Sequence, residues 1–232
     1  MTADVLAARR IVRRGLGLVT LGLLAIAAVY IIALRFTPTE ATQGLPQKIF
    51  YVHVPAAWSA LLAFALVGIA GILYLWLRDP RLDLFAEAMA EAGLVFSLVM
   101  LTTGPLWGKP VWGTWWEWDA RLTFTLILFF LFLGYRALRG ALSDPGERAR
   151  FSAVLGILGL VLVPFVHLTV YLFRTLHPQP IVLKPSEPSL PGAMLRTLLL
   201  AVVAFSVLLF GFVATRYGLS REAELRGAGD DG

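Results

Sequence analysis

The sequence predicts an all-α, polytopic membrane protein with six transmembrane helices and both termini in the cytoplasm. Of its 232 residues, 58% are hydrophobic and 15% are charged, whereas ordinary soluble domains carry roughly 25% charged residues. About 20 apolar residues are enough for one helix to cross the hydrocarbon core of a bilayer, and six such runs are present. The predicted spans are residues 16–36, 55–77, 85–106, 122–138, 151–173 and 193–215.

The basic residues predict the orientation, because Lys and Arg collect in cytoplasmic segments. Thirteen of the twenty lie in segments that share a side with the N-terminus, and seven lie on the other side. Both termini are therefore expected in the cytoplasm, with residues 216–232 as a cytoplasmic tail. The net charge of +5 follows largely from this bias and suits contact with anionic lipid. It does not indicate nucleic-acid binding.

The N-terminal segment, the lack of cysteine and the lack of a phosphate loop limit what the chain can do. The arginines before the first span resemble the start of a secretory signal, but the apolar run is long and lacks a small-residue cleavage site, so we expect an uncleaved first helix. The sequence has no cysteine, which excludes thiol redox chemistry and metal binding through sulfur. No Walker-type phosphate loop is present, so an ATP-driven step would need another chain. Residues 1–232 are expected to form one integral membrane domain.

The segment KIFYVHVPAAW leads into the second span and carries the first histidine. Pro55 suits the first turn of a helix, where its missing N–H is harmless. His53 is therefore expected just ahead of this span, at the outer boundary. The third span begins with Glu87 and Glu91, where the helix dipole favours acids. A functional carboxylate inside the membrane is the alternative interpretation.

Residues 105–121 form an external tryptophan-rich segment that includes WGKPVWGTWWEWDAR. Five of the seven tryptophans lie within twelve residues here. Indoles in this number make a broad, rigid surface for a planar ligand, and an aromatic belt at the membrane boundary is the alternative. In a helical conformation Trp112, Trp115, Trp116 and Asp119 would share one face, while Trp118 would point elsewhere.

The fifth span is expected to stop at His177, because the residue before a proline is disfavoured in a helix. His177 would then lie at the same depth as His53. His167 comes ten residues earlier, roughly 15 Å deeper at 1.5 Å per residue. At that depth it either makes a structural hydrogen bond to a neighbouring helix or lines a pathway.

Two histidines at equal depth on different spans suit the axial positions of haem iron better than a tetrahedral zinc site, which needs more ligands. The alternative is that both histidines only anchor helix ends at the interface. Arg121 and Arg174 could each pair with a haem propionate through two parallel hydrogen bonds. Interfacial snorkelling of these two arginines is the alternative for them.

The segments WGTWWEWDARLT, YVHVPAAW and TLHPQP, together with the six-span layout, resemble the tryptophan-rich haem-handling membrane proteins of cytochrome c maturation. Within that group the chain is similar to the CcmC family. The resemblance implies that His53 and His177 are the axial ligands of the haem iron. It also implies a haem platform of Trp112, Gly113, Trp115, Trp116, Trp118 and Asp119.

The resemblance further implies a function. A protein of this kind binds b-type haem transiently at the outer, periplasmic face of the bacterial cytoplasmic (inner) membrane and transfers it to the membrane-tethered haem chaperone CcmE. Its implied partners are CcmE, the transporter subunits CcmA and CcmB, the small protein CcmD and membrane lipid. Such a handover factor needs no catalytic constellation of its own. Two competing hypotheses are a transmembrane haem transporter that uses His167 and Glu91, and a structural subunit whose tryptophans anchor a complex.

Overall fold

The structure confirms the predicted six-helix, multi-pass architecture. The computed structural model describes residues 2–178, 181–182, 184 and 186–230, with side chains as far as residue 227. All six helices are long and apolar enough to cross a membrane. They are α1 (Ala3–Arg35), α2 (Phe50–Leu77), α3 (Pro80–Trp112), α4 (Ala120–Ala141), α5 (Pro145–Leu172) and α6 (Gly192–Asp230).

The start of α2 corrects one prediction. A short 3-10 turn, Leu45–Ile49, runs directly into α2, so the helix begins at Phe50 and Pro55 lies in its second turn. The missing N–H of a proline removes one helical hydrogen bond, here to the carbonyl of Tyr51, and the helix continues past this position in both directions. His53 therefore lies inside α2 and not ahead of it.

The ends of α5 and α6 also differ from expectation. Helix α5 stops at Leu172, with Phe173 as its C-cap in an extended conformation, so His177 lies in the following loop and does not mark the helix end. Helix α6 continues to Asp230. Residues 216–230 of the expected tail are thus the last turns of α6.

Two short turns connect the helices at one end of the bundle, and both use the same local chemistry. Asp79 accepts a hydrogen bond from the backbone N–H of Arg81 (2.9 Å), and Asp144 accepts one from the N–H of Glu147 (2.6 Å). In each case a proline follows the aspartate as the first helical residue. This Asp–Pro pair combines a side-chain N-cap with a residue whose missing N–H is harmless at that position.

Helix α2 lies at the centre and packs against α3, α5 and α6, whereas α1 packs on α6 and α4 on α5. The rings of Phe64 and Phe132 stack at 3.8 Å inside the core. Helices α1 and α6 approach closely because glycine faces the partner backbone: a Cβ at Gly22 would lie 2.8 Å from the backbone of Leu208. Small residues at such crossings are how helices associate in lipid.

The two ends of the bundle carry different structure. The turn end holds the α2–α3 and α4–α5 turns, and Arg9 of α1 bonds Glu222 of α6 there at 2.8 Å, so the two termini share this end. The loop end holds the α1–α2, α3–α4 and α5–α6 loops. That the turn end faces the cytoplasm remains a prediction from the distribution of Lys and Arg.

Candidate functional site

The three loops of the loop end are joined by side-chain hydrogen bonds. The indole Nε1 of Trp107 donates to the amide oxygen of Gln43 at 3.0 Å, which ties α3 to the α1–α2 loop. The backbone N–H of Leu176 donates to Asp119 Oδ2 at 3.1 Å, which ties the α5–α6 loop to the start of α4. The candidate site is built where these loops meet.

The tryptophan-rich segment is not one helix, so the shared helical face expected for its tryptophans and Asp119 does not exist. Helix α3 ends at Trp112, because Gly113 adopts a left-handed conformation (φ 81°) that glycine tolerates without strain. An irregular stretch follows, and Asp119 then caps α4 by accepting from the N–H of Leu122 at 2.8 Å. The segment is therefore a helix end, a loop and a helix start.

His53 lies on α2 and is half-buried against α3. Its Nδ1 is 3.0 Å from the hydroxyl oxygen of Thr103. The ring is also close to the backbone of Gly104, where an added Cβ would lie 3.2 Å from His53 Cε1. The second ring nitrogen, Nε2, makes no hydrogen bond with any of the residues that the structure describes.

His177 lies in the α5–α6 loop, and its Nδ1 is 3.1 Å from the carbonyl oxygen of Pro178. A carbonyl can only accept, so in the neutral ring Nδ1 carries the proton and Nε2 carries the lone pair. Burial, and then the positive charge of Arg121, lower the pKa of His177 to about 3. His177 is consequently neutral at physiological pH and able to bind a metal.

Two neighbouring cavities bring the histidines together. Their volumes are about 60 and 120 Å³, and both His53 and His177 line each of them. The residues common to both walls are His53, Gly104, Pro105, Trp116, Leu122 and His177. Pockets that enclose a ligand of drug size occupy about 300–1,000 Å³, so this conformation does not enclose a porphyrin.

The six residues of the predicted platform occupy different positions. Trp112, Trp115 and Trp116 line the smaller cavity. The side chain of Trp118 is 75% exposed and packs edge-on against Trp116 at 5.7 Å. Gly113 and Asp119 line neither cavity; one ends α3 and the other links α4 to the loop that carries His177.

Trp107 is a site residue that the platform prediction left out. It is 7% exposed, and its ring lies 5.8 Å from His53 and 6.1 Å from Trp112. The ring of Trp112 in turn lies 6.5 Å from His177. Two indoles thus connect the two imidazoles in a continuous aromatic wall. In the sequence, Trp107 is recognisable as the first of the five clustered tryptophans. Only the fold shows that its ring contacts His53.

Two hydrogen-bond donors belong to residues that line the cavities. The indole Nε1 of Trp116, which lines both cavities, is buried and has no hydrogen-bond partner among the described residues. Arg121 lines the larger cavity. Both could donate to an anionic group of a ligand. Arg174, the other predicted propionate contact, is exposed and lines neither cavity.

His167 and Glu91, the residues of the transport hypothesis, lie apart. His167 is half-buried on α5 with the ring of Tyr171 at 6.1 Å. Glu91 lies toward the turn end, where its carboxylate bonds Arg216 at 2.6 Å and Arg136 at 3.0 Å. The cavity that Glu91 lines is walled by α1, α3 and α6 and does not include His167.

Comparisons with known proteins identify a family and several relatives. A family profile described as heme exporter protein C matches residues 5–224. The heme exporter protein C of Bradyrhizobium diazoefficiens is 40% identical over 88% of this chain and 78% of its own length. The protein of the same name from Haemophilus influenzae is 39% identical over 85% of this chain and 80% of its own. A putative cytochrome c biosynthesis ccmC-like mitochondrial protein of Marchantia polymorpha is 37% identical over 82% and 80%, respectively.

Proposed function

The chain belongs to the heme exporter protein C family, and from that premise we propose that it binds haem between His53 and His177 and transfers it to the haem chaperone CcmE. The proposal rests on one observation: the imidazoles of His53 and His177 both line the same two neighbouring cavities. Each has Nδ1 within hydrogen-bond distance of an oxygen, and no hydrogen bond of either Nε2 is found among the described residues, so Nε2 is the nitrogen available to iron. Histidines that bind metals are usually held through the second nitrogen in this way.

The ligand set suits haem iron. The porphyrin occupies four positions around the iron, so two imidazoles complete an octahedral site. No group of three His, Cys, Asp or Glu side chains that could hold a bare metal ion occurs among the described residues. The proposed haem is b-type, because a chain without cysteine offers no thiol for a thioether bond, and it is held transiently because the proposed function passes it on.

The indoles around the cavities supply the surface for the ring. Trp107, Trp112 and Trp116 form the wall next to the histidines, and flat aromatic faces bind a porphyrin by stacking and by excluding water. The buried Nε1 of Trp116 and the guanidinium of Arg121 are donors for the propionates. Arg174 remains a candidate for a propionate that projects from the mouth of the site.

The exposed tryptophans of the tryptophan-rich segment suit the transfer of haem to a second protein. Trp115 and Trp118 are 57% and 75% exposed, so a docking chaperone can reach the edge of the haem at the loop end. The chain itself positions the haem and exchanges ligands, and it needs no nucleophile. We place this face on the periplasmic side of the bacterial inner membrane, with CcmA, CcmB and CcmD as the other partners.

Haem titration of the purified protein tests the ligands. The parent should give the visible spectrum of low-spin, bis-histidine haem, and His53→Ala and His177→Ala should each abolish that spectrum and weaken binding by more than about 100-fold, beyond the range for residues that only support a ligand. His167→Ala is the matched control and should keep both properties. A low-spin spectrum that survives in the double variant of His53 and His177 contradicts the proposal.

Loading of CcmE separates handover from transport. In the proposed function His167→Ala leaves the loading of CcmE with haem largely intact, because His167 lines neither haem cavity. In a transport pathway through the membrane the same substitution abolishes loading. Measuring haem on CcmE in cells that carry either form distinguishes the two.

A further inference from the structure

Helix α3 presents two adjacent residues to the imidazole of His53. Thr103 Oγ1 lies 3.0 Å from His53 Nδ1. The backbone of Gly104 faces the same ring at its Cε1. This contact joins α2 to α3 just before the tryptophan-rich segment. His53 and Gly104 line both cavities, whereas Thr103 lies behind the ring and lines neither.

The hydroxyl of Thr103 can play only one role toward His53. It donates its proton to the carbonyl oxygen of Val99, one helical turn earlier, at 2.7 Å. A hydroxyl has a single proton, so toward the imidazole the oxygen acts as an acceptor. His53 Nδ1 must then carry the ring proton, and Nε2 carries the lone pair that binds a metal.

Gly104 sets where the ring lies. A Cβ at this position would be 3.2 Å from His53 Cε1 and 3.8 Å from Nδ1, so any larger residue pushes the imidazole away from α3. Such a shift of a few tenths of an ångström lengthens the bond to Thr103. Glycine here lets the ring come within reach of the hydroxyl.

We propose that Thr103 and Gly104 are positioning residues for haem ligation: Thr103 selects the tautomer of His53 and strengthens its Nε2 as a ligand, and Gly104 admits the ring to that bond. The inference rests on the proposed haem site. Neither residue touches the iron, and both act through His53.

Thr103→Val tests the hydroxyl, because valine keeps the branched shape and removes only the oxygen. Loss of a supporting hydrogen bond to a metal-bound histidine typically weakens metal binding 10–100-fold, and we expect a loss in this range for haem. The reduction potential of the bound haem should also rise, because an imidazole without the N–H···O bond is a weaker donor to ferric iron. Thr103→Ser should restore both properties.

Thr102→Val is the matched control. Thr102 is the preceding residue, and its hydroxyl makes the same bond to the carbonyl one turn earlier, Leu98, at 2.7 Å. It faces away from His53, so its loss should leave affinity and potential at the parent values. For the glycine, Gly104→Ala should weaken haem binding several-fold, whereas Gly134→Ala, where a Cβ meets nothing within 4 Å, should not.

The outcomes distinguish this inference from the proposed function. If the parent loses its low-spin spectrum on His53→Ala but Thr103→Val keeps the parent affinity and potential, the positioning role is refuted and the haem site stands. If Thr103→Ser behaves like Thr103→Val, the hydroxyl is not the active feature and the inference also fails. If His53→Ala keeps the spectrum, the proposed ligand itself is wrong. Should Thr103→Val fail to fold, Thr103→Ala removes the same hydroxyl with less bulk and serves in its place.

Discussion

The two ends of the bundle use polar groups in opposite ways. At the turn end, three acids of α3 (Asp83, Glu87 and Glu91) are matched by Arg136, Arg139 and Arg216. At the loop end, His53, His177 and Trp116 line two cavities, and the indole Nε1 of Trp116 has no hydrogen-bond partner in the part of the chain that the structure describes. Paired charges hold helices together, whereas an unpaired donor or acceptor on a cavity wall is a candidate for ligand binding.

The pairing at the turn end bears on the acids of α3, for which the sequence left two interpretations: an effect of the helix dipole and a functional carboxylate inside the membrane. The helix dipole alone would favour them near the start of the helix. Instead Arg139, whose side chain is 1% exposed, forms two bonds to Asp83 at 2.6 and 3.0 Å and one to Glu87 at 3.2 Å. These carboxylates cross-link α3 to α4 and α6, which is a structural role.

The largest effect is expected at the turn end. Arg139→Met leaves the buried carboxylate of Asp83 without a cation within 4 Å among the described residues, whereas Glu87 keeps Arg216 at 3.6 Å. Removing one partner of a buried ion pair costs about 3–5 kcal/mol of stability. The measurement is the free energy of unfolding in detergent. Arg81→Met is the control, since Arg81 pairs with Asp79 at the surface, where solvent screens an ion pair and its loss should change stability little. Equal losses in the two variants would contradict the contrast drawn here.

An intermediate effect on stability is expected at the loop end, where Asp119 accepts a hydrogen bond from the N–H of Leu176. Asp119→Asn keeps the cap of α4, because Asn caps as well as Asp, but it replaces one acceptor oxygen by an NH₂ group and so removes the bond from the N–H of Leu176. We expect a loss of about 1 kcal/mol in stability and a several-fold weaker haem affinity, because His177 follows Leu176 in the loop.

Asp144→Asn provides the comparison for that variant. Asp144 caps α5 through one oxygen, with Glu147 as its donor, and it makes no link to a second loop among the described residues. Its substitution should change neither haem affinity nor stability by a measurable amount. If haem affinity falls equally in both variants, the link between Asp119 and Leu176 does not position His177.

The smallest effect on stability is expected for Trp118→Ala. The side chain is 75% exposed, and exposed positions away from special features usually change stability by less than about 0.5 kcal/mol. In the proposed function this variant binds haem with the parent affinity and transfers it more slowly to CcmE. Stopped-flow absorption of the transfer step measures the rate. An unchanged rate of transfer would show that Trp118 is not part of the docking surface.

The sequence predicted much of the fold and part of the site, for different reasons. Six spans are read from the lengths of the apolar runs, and the structure confirms them. That His53 and His177 share one end follows from counting helices, and the structure places both on the same cavities; their role as haem ligands stays a prediction. The prediction that the tryptophans and Asp119 share one helical face was wrong, because one helix ends at Gly113 and the next begins after Asp119, within seven residues.

By itself the sequence determined a membrane-spanning bundle, because an apolar run of about 20 residues satisfies its backbone in a bilayer as a helix. Successive spans cross in opposite directions, so the order of the loops assigns each one to an end of the bundle. Only the tertiary structure decided which groups meet: Thr103 with His53, Asp119 with Leu176, and Trp107 with both Gln43 and His53. These partners are about 50 to 65 residues apart along the chain and leave no local pattern, since a hydrogen bond depends on two helices crossing at one depth and one rotation.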